Sequence, residues 1–284
     1  MPWYKLNDLN AELLALRSCF AGQTDIVHFL DGEHSPLFLP RLVRLARLSN
    51  VRIVVTFHQP PRIARDVVNR DLLRWVDHVV LVSPSQVPFF VEYVPEDRLH
   101  VILHGIDVEF FRPPARAQDT GAFRCITVGH WLRDWNVLCQ IVGALPQLRF
   151  DVVTGTEAGL SGFDNVHIHR GIDDGSLAEL YRSADVLLLP LTDSTANNAL
   201  LEGMASGLPV VATDLPAVRA YLPEGGVLVP DNSTEGFVSA LQSLRQDISA
   251  RRAMGQNSRA RAEELAWPRV VREYEALYAK VLGG

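Results

Sequence analysis

The sequence predicts an α/β fold in which two Rossmann-like domains face a cleft. Short apolar, β-branched runs recur along the 284 residues, and they are continuous rather than alternating. Such runs are typical of parallel strands that are buried on both faces. Segments with helical periodicity lie between most of these runs, and strand–helix alternation indicates a parallel α/β sheet. Ligands of such folds bind at the carboxyl ends of the strands, so polar residues that follow strands are the functional candidates.

The N-terminal half opens with one helical segment and then supplies four predicted strands. These are DIVHFL (25–30), VRIVVTF (51–57), HVVLVS (78–83) and LHVIL (99–103). The helices predicted between them cover 37–48, 64–75 and 85–93. Only about two dozen residues precede the first strand. These residues read as one helix, so no strand is predicted to pair beyond DIVHFL, and an open sheet edge is expected there, which invites pairing with another chain. This favours a homo-oligomer, a partner chain or an unstable domain; a misplaced start is the alternative.

The C-terminal half supplies six predicted strands and ends in helices. The strands are FRCITVG (123–129), RFDVVTG (149–155), VHIH (166–169), VLLLP (186–190), LPVVAT (208–213) and VLVP (227–230). The helices are predicted at 135–145, 176–183, 197–206, 233–246, 250–265 and 268–281. FFRPPARAQDTGAF (110–123) lacks periodicity and is the expected linker. The predicted domains are therefore 1–112, 113–266 and a final helical segment, 267–284.

Composition narrows the function classes. The net charge of −6 argues against nucleic-acid binding, which relies on basic surfaces. The three cysteines, Cys19, Cys125 and Cys139, form no CxxC pair, which is typical of a reducing compartment. The chain has no apolar run near the ~20 residues of a membrane span and no recognisable leader. We therefore expect a cytoplasmic protein with at most peripheral membrane contact. The sequence contains no Asp-x-Asp motif and no His/Asp cluster, so no metal site is predicted.

Two strand ends in the C-terminal half are candidate ligand sites. Gly129 ends a strand and is followed by His130, Arg133 and a helix start, an order that aims backbone amides and a helix dipole at an anion. An ordinary tight turn is the alternative. Arg170 and Gly171 follow the strand VHIH, where the alternative is a surface loop.

The stretch TANNALLEG carries the strongest signal. Ser194 or Thr195 is placed to cap the helix that follows. The amides around Ala196, Asn197 and Asn198 are placed to hold phosphate. Glu202 lies four residues after Asn198, on the same helix face, and burying it without a partner is costly. A ribose diol would supply that partner, whereas a glutamate exposed at the helix edge is the alternative.

The N-terminal half offers acceptor-side candidates. Asp31, Glu33 and His34 follow the first strand, and His58 follows the second. His28, within the first strand, is expected to be a core histidine. The arginines at 41, 44 and 47 are spaced at three on a helix. That spacing predicts a solvated face, the alternative being attraction of an anionic lipid or a phosphate-bearing acceptor.

LLEGMASGLPVVATD resembles the nucleotide-sugar site of glycosyltransferase family 4, which has the GT-B fold. The segments VSPSQVPFFVEYVPEDRLHVILHGIDVEFFRPP, FRCITVGHWLRDWNVL and WPRVVREYEALY extend the resemblance over most of the chain. It implies a retaining, metal-independent transferase with no cofactor. The substrates would be a UDP- or GDP-sugar donor and a saccharide, lipid or small-molecule acceptor, as in polysaccharide biosynthesis. The implied catalytic residues are Asp31, His34, Arg133 and Ser194.

The chain departs from the family pattern at several positions. The family has a first strand with a Gly-rich loop ahead of the position of DIVHFL, so the resemblance implies that the N-terminal domain is truncated. The family has two glutamates in this helix region; Glu202 matches the second, and Ser194 stands at the first, beside Asp193. The family's phosphate-binding Arg and Lys correspond to His130 and Trp135. His104 stands where Asn is usual. These changes fit a subfamily with its own donor geometry. The alternatives are a non-catalytic nucleotide-sugar-binding subunit and a sugar-nucleotide epimerase.

Overall fold

The computed structural model describes residues 5–34, 36–115, 122–222 and 224–283. The chain divides into two compact units: Met1–His104 together with Val270–Gly284, and Gly105–Arg269. Each unit holds one parallel sheet, of four and six strands respectively, with helices between the strands. The predicted α/β class with two parallel sheets is therefore confirmed.

The N-terminal unit is built on four parallel strands in the order β1-β2-β3-β4. Their bounds are β1 Ile26–Phe29, β2 Arg52–Phe57, β3 His78–Leu81 and β4 Leu99–Val101. Its helices are α1 Leu6–Phe20, α2 Leu39–Leu45, α3 Pro61–Val67, α4 Arg70–Leu73 and α5 Val87–Phe90, with the end of α12, Trp267–Val281. Within the described residues β1 pairs only with β2, so it lies at the edge that the sequence predicted.

Alternate residues of the central strands pack into two apolar cores, one on each face of the sheet. Ile53 and Val55 belong to a large apolar cluster, whereas Val54 between them belongs to a second cluster. The second cluster contains three residues of α12: Val270, Leu277 and Val281. The C-terminal helix therefore completes the N-terminal unit, which explains why the unit is discontinuous in sequence.

Two expectations for this unit were wrong in detail. The helix predicted over 64–75 is two short helices, because Val68 takes an extended conformation and Asn69 follows it. The arginines at 41, 44 and 47 do not form a uniformly solvated face. Arg44 is half-buried, forms an ion pair with Asp77, and donates to the Val51 carbonyl at 3.3 Å. It is a structural residue rather than a free charge.

The C-terminal unit is built on six parallel strands in the order β10-β9-β8-β5-β6-β7. They are β5 Arg124–Val128, β6 Arg149–Val153, β7 Val166–His169, β8 Val186–Leu189, β9 Val210–Thr213 and β10 Gly226–Val229. The helices are α6 Trp135–Ala144, α7 Asp174–Ser183, α8 Asn198–Ala205, α9 Pro216–Tyr221, α10 Thr234–Gln246 and α11 Ile248–Glu264. Every residue of β8 and β9 is buried, as the continuous apolar runs predicted.

The strand order defines the position at which doubly wound sheets of this kind bind ligands. From β5 the chain adds β6 and β7 on one side, and it then returns to add β8, β9 and β10 on the other. The strand order therefore reverses between β5 and β8, and a crevice forms at their carboxyl ends. The loops that flank it are 129–134 and 190–197. Of the linker predicted at 110–123, residues 116–121 lie outside the described part of the chain.

Candidate functional site

The two loops beside the crevice are joined by backbone hydrogen bonds. The Asp134 amide donates to the Pro190 carbonyl at 2.9 Å, and the Thr192 amide donates to the Leu132 carbonyl at 3.0 Å. Arg133 forms an isolated antiparallel bridge with Leu191 between these bonds. The loops therefore hold one another in place above the sheet.

Arg133 reaches back into the crevice from the first loop. Its Nε and Nη2 donate to the Val128 carbonyl at 3.0 and 2.5 Å, its Nη1 donates to the Trp131 carbonyl at 3.0 Å, and Nη2 lies 3.4 Å from Asn197 Oδ1. Burial lowers the pKa of Arg133 to about 10, while Tyr181 and Glu202 act in the opposite direction. The guanidinium is therefore a cation at neutral pH, fixed between the ends of both strands.

Gly129 makes room for this guanidinium. Its φ of +91° is a left-handed conformation, and a Cβ built there would lie 2.9 Å from Arg133 Nη2. Both the conformation and the space exclude a side chain.

Asn197 caps the helix at the other side of the crevice. Its side chain accepts a hydrogen bond from the Leu200 amide at 3.2 Å, and its backbone is extended. The prediction that Ser194 or Thr195 is the cap was wrong. The buried Ser194 hydroxyl instead donates to the Thr195 carbonyl at 3.2 Å, and its amide donates to Asp193 Oδ1 at 2.8 Å. The Ser194 hydroxyl is thus used within its own turn, and the helix cap lies three residues later, at Asn197.

Glu202 is half-buried one turn inside α8. Its Oε2 accepts a hydrogen bond from the fully buried Tyr181 hydroxyl at 2.8 Å, whereas its Oε1 accepts none from the described residues. Burial raises the pKa of Glu202, and the hydrogen bond from Tyr181 opposes that rise only in part. A single hydrogen bond from the described residues therefore offsets part of the free-energy cost of burying this carboxylate, and Oε1 has no donor among them.

Sequence reasoning missed the polar chain beneath the loops. The Leu191 amide donates to Thr213 Oγ1 at 2.7 Å, Thr213 Oγ1 donates to Asn232 Oδ1 at 2.5 Å, and Asn232 Nδ2 donates to Asp134 Oδ2 at 2.9 Å. Asp134 also caps α6 through the Val137 amide at 3.1 Å. Asp134 as a helix cap was readable from the sequence. Tyr181 and Asn232 were not, because they come from α7 and from the loop before α10, far from Asp134 in sequence.

The remaining C-terminal candidates are more exposed. His130 is exposed, and Trp135 begins α6 half-buried against the apolar core. Arg170 bonds the Thr156 carbonyl at 3.1 Å and Glu157 Oε1 at 2.9 Å, and the Gly171 that follows has a φ of +59°. Arg170 therefore shapes a turn of its own, and no hydrogen bond links it to the loop pair.

In the N-terminal unit, Asp31 and His34 form a pair after β1. His34 Nδ1 lies 2.8 and 2.9 Å from the two carboxylate oxygens of Asp31. Glu33 has a structural role, unlike the partly exposed Asp31 and His34. Its side chain is only 1% exposed and accepts hydrogen bonds from the amides of His58 and Gln59 at 2.6 and 2.7 Å. Burial acts to raise the pKa of Glu33, but the bonds from His58 and Gln59 outweigh it and lower that pKa. Glu33 thus ties the ends of β1 and β2 together.

His28 is the core histidine that the sequence predicted. Its ring nitrogens are hydrogen-bonded to Tyr278 Oη at 2.6 Å and to Thr56 Oγ1 at 2.8 Å. Burial lowers the pKa of His28 to about 4. The ring is therefore neutral at pH 7 and serves to join β1, β2 and α12.

Two family models match the chain, one in each unit. The model described as Glycosyltransferase Family 4 matches residues 2–110, and the model described as Glycosyl transferases group 1 matches residues 125–247. This chain belongs to glycosyltransferase family 4. The resemblance that the sequence predicted from LLEGMASGLPVVATD and the other segments is therefore confirmed, and it extends over both units of this family 4 chain.

The curated relatives of this family 4 chain are longer proteins. A D-inositol 3-phosphate glycosyltransferase of Paenarthrobacter aurescens is 24% identical over 270 residues, which cover 84% of this chain and 66% of that protein. An MMP alpha-(1->4)-mannosyltransferase of Mycolicibacterium hassiacum is 28% identical over 209 residues, covering 66% of this chain and 50% of that one. The chain therefore spans from half to about two thirds of these relatives' length.

Solved structures show that the fold is GT-B. A sucrose-phosphate synthase from Thermosynechococcus elongatus has a TM-score of 0.79 at 19% identity, covering 96% of this chain and 77% of its own. HepE of Anabaena, solved in complex with UDP, has a TM-score of 0.73 at 12% identity, with coverages of 95% and 82%. Among the described helices of this family 4 chain, none combines the length and the apolar character needed to cross a membrane.

Proposed function

We propose that this chain transfers a sugar from a nucleoside-diphosphate sugar to a saccharide, lipid or small-molecule acceptor. The observation that supports this most directly is the meeting of Arg133 with the Asn197 cap of α8, beside Glu202, where the strand order reverses. That crevice is where doubly wound sheets bind nucleotides. The donor is proposed to be a UDP- or GDP-sugar, and transfer is proposed to retain the anomeric configuration without a metal.

The proposed donor lies against the C-terminal unit. The first amides of α8, at 198 and 199, have no partner within the helix, so they and the helix dipole would receive the diphosphate. Glu202 Oε1 would accept from a ribose hydroxyl while Tyr181 holds Oε2. As the nucleoside diphosphate leaves, these fixed dipoles and the Arg133 cation would stabilise the charge that grows on the β-phosphate. The base would lie near Arg170 and Gly171.

The N-terminal unit is proposed to receive the acceptor. Asp31 fixes the orientation of His34 through two short contacts, and both side chains are partly exposed. A histidine oriented in this way can accept a proton from a hydroxyl that attacks a sugar. The three cysteines are free thiols, which fits a reducing, cytoplasmic setting for such an enzyme in polysaccharide biosynthesis.

A second candidate is a nucleotide-sugar-binding subunit without turnover. Arg133 directs three nitrogens at the Val128 and Trp131 carbonyls, and His130 and Trp135 stand where the family places its phosphate-binding Arg and Lys. Fewer positively charged side chains therefore face the leaving phosphate than the family pattern implies.

Calorimetric titration of the chain with UDP, GDP and ADP tests the donor site. We expect one nucleotide to bind, and we expect Glu202→Ala to weaken that binding by about tenfold or more, since it removes a charged hydrogen bond. Glu235→Ala is the matched control, because Glu235 is an exposed carboxylate in the first turn of α10. If no nucleotide binds, or if both variants bind equally, the proposed donor site is wrong.

Turnover separates the candidate functions. The chain is incubated with UDP- and GDP-sugars and acceptors, and release of the nucleoside diphosphate is followed. Release that is lost in Glu202→Ala supports transfer. Tight binding without release supports the subunit. A changed sugar that is still attached to the nucleotide would instead indicate an epimerase.

A further inference from the structure

A cavity lies at the opposite end of the C-terminal sheet from the proposed donor site. It has a volume of about 510 Å³ and is lined by residues that immediately precede strands: Phe123 before β5, Asp185 before β8 and Pro209 before β9. The donor crevice lies at the carboxyl ends of β5 and β8, so this cavity, which we call the basic pocket, is a separate site.

The pocket is strongly cationic in a chain whose net charge is −6. Four arginines line it, Arg182, Arg245, Arg251 and Arg252, against one acid, Asp185. Asp185 is already committed, since its Oδ2 accepts from the Arg124 amide at 2.9 Å and its Oδ1 lies 3.5 Å from Arg251 Nη2. The lining therefore carries an excess of positive charge.

Two of these arginines, both exposed, have no counter-ion among the described residues. Arg182 is paired with Glu179 at 2.7 Å, and Arg251 lies over the Phe123 ring at 5.1 Å. Arg245 and Arg252, by contrast, make no hydrogen bond or ion pair with any residue within 5–34, 36–115, 122–222 or 224–283. Keeping like charges together without a partner costs free energy, which a bound anion would return.

A buried hydroxyl in the same lining also lacks a partner. Ser206, directly after α8, is 2% exposed, and its Oγ makes no hydrogen bond. An unsatisfied buried polar group is rare in folded proteins. It is not needed to cap α8, because the Ala205 carbonyl already accepts from Arg259 Nη1 at 2.7 Å. The Ser206 hydroxyl therefore has unused hydrogen-bonding capacity in the wall of the pocket.

The remaining walls also suit a phosphorylated small molecule. Ile248, Arg251 and Arg252 lie in the first turns of the 17-residue helix α11, so the positive end of its dipole faces the pocket. Pro113, Pro209 and the exposed Ile248 supply apolar surface. The volume lies within the range of small-molecule sites, roughly 300–1,000 Å³.

We propose that the basic pocket binds a small molecule that carries two or more linked phosphate groups, at a site distinct from the donor site. The two unpaired arginines hold the phosphate oxygens, as charge-assisted donors do, and Ser206 adds a neutral hydrogen bond. The apolar walls hold the rest of the molecule.

Calorimetric titration with inorganic pyrophosphate tests this proposal, with hydrogen exchange to locate the site. We expect binding to the full chain, with protection of amides at 245–255. The Arg245→Ala/Arg252→Ala double variant is expected to bind at least about tenfold more weakly. Arg269→Ala/Arg272→Ala is the matched control; it removes two exposed arginines that lie outside the pocket, and it should bind normally.

Ser206→Ala supplies a second readout. Removing an unsatisfied hydroxyl should leave the melting temperature unchanged or raise it, yet weaken pyrophosphate binding. The proposal is overturned if pyrophosphate fails to bind, if it protects only residues 190–202, or if the double variant binds as tightly as its control. UDP or GDP titrations of the double variant report on the donor site separately, so the failure of one proposal is distinguishable from the failure of the other.

Discussion

At the scale of single residues, Glu202 combines burial in the proposed donor site with a cost to stability. The carboxylate is half-buried and has one protein donor, Tyr181. Burial raises the pKa of Glu202, so the folded chain holds this proton more tightly than the unfolded chain does. The free energy of unfolding therefore falls as pH rises from the ordinary glutamate range through the raised pKa. A ligand hydroxyl would offset that loss.

Glu202→Gln is therefore expected to be more stable than the wild type at pH 7 without nucleotide. Glutamine cannot ionise, so the desolvation cost of the carboxylate disappears. The difference in melting temperature should shrink as pH falls below the ordinary glutamate pKa, where both side chains are neutral. Thermal denaturation at pH 7 and at pH 4 measures this. A difference that is the same at both pH values would show that ionisation of Glu202 plays no part.

Arg133→Lys is expected to destabilise the chain by about 2 kcal/mol, since a lysine cannot reproduce a planar fork that bonds two carbonyls. The variant keeps the positive charge, so a loss of nucleotide affinity would come from geometry rather than from charge. Urea denaturation and UDP or GDP titration measure the two effects. Wild-type stability in Arg133→Lys would mean that the hydrogen bonds from Arg133 to the two carbonyls contribute little.

At the scale of elements, the site depends on the start of α8. Asn197 closes the first turn through the Leu200 amide and lies 3.4 Å from Arg133 Nη2. Its cap leaves the amides at 198 and 199 for a ligand, because a side-chain cap satisfies only one of the first amides. One residue thus sets both the stability of the helix and the geometry of the proposed phosphate site.

Two substitutions of Asn197 should separate those roles. Asn197→Ala loses the cap and is expected to cost about 1 kcal/mol of stability. Asn197→Asp keeps the cap and should be as stable as the wild type, since a negative charge is favourable at a helix start. The same charge repels phosphate, so nucleotide affinity should fall by about tenfold or more in Asn197→Asp. Urea denaturation measures the stability of both variants, and nucleotide titration measures their affinity. Unchanged affinity in Asn197→Asp would show that the phosphate binds elsewhere.

At the scale of the whole molecule, the predictable part is what local sequence pattern determines. Apolar, β-branched runs predicted the ten strands of the described residues, because parallel strands that are covered on both faces are mostly apolar. The sequence placed Gly129, Arg133 and Glu202 after strands or in a helix beside them. It did not reveal Tyr181 or the chain from Thr213 through Asn232 to Asp134. Those contacts join residues far apart in sequence, which periodicity does not report.

The open edge at β1 bears on assembly. β1 pairs with β2 alone among the described strands, and Leu30, just beyond it, is 67% exposed. An edge without a blocking charge is a template for another strand. We expect the chain to associate as its concentration rises, and we expect Leu30→Lys to shift it towards the monomer, since an edge lysine opposes strand pairing. Sedimentation velocity measures this, with Leu282→Lys as the control at a side chain 54% exposed in α12's C-terminal extension. Association that persists unchanged in Leu30→Lys would show that another surface joins the copies.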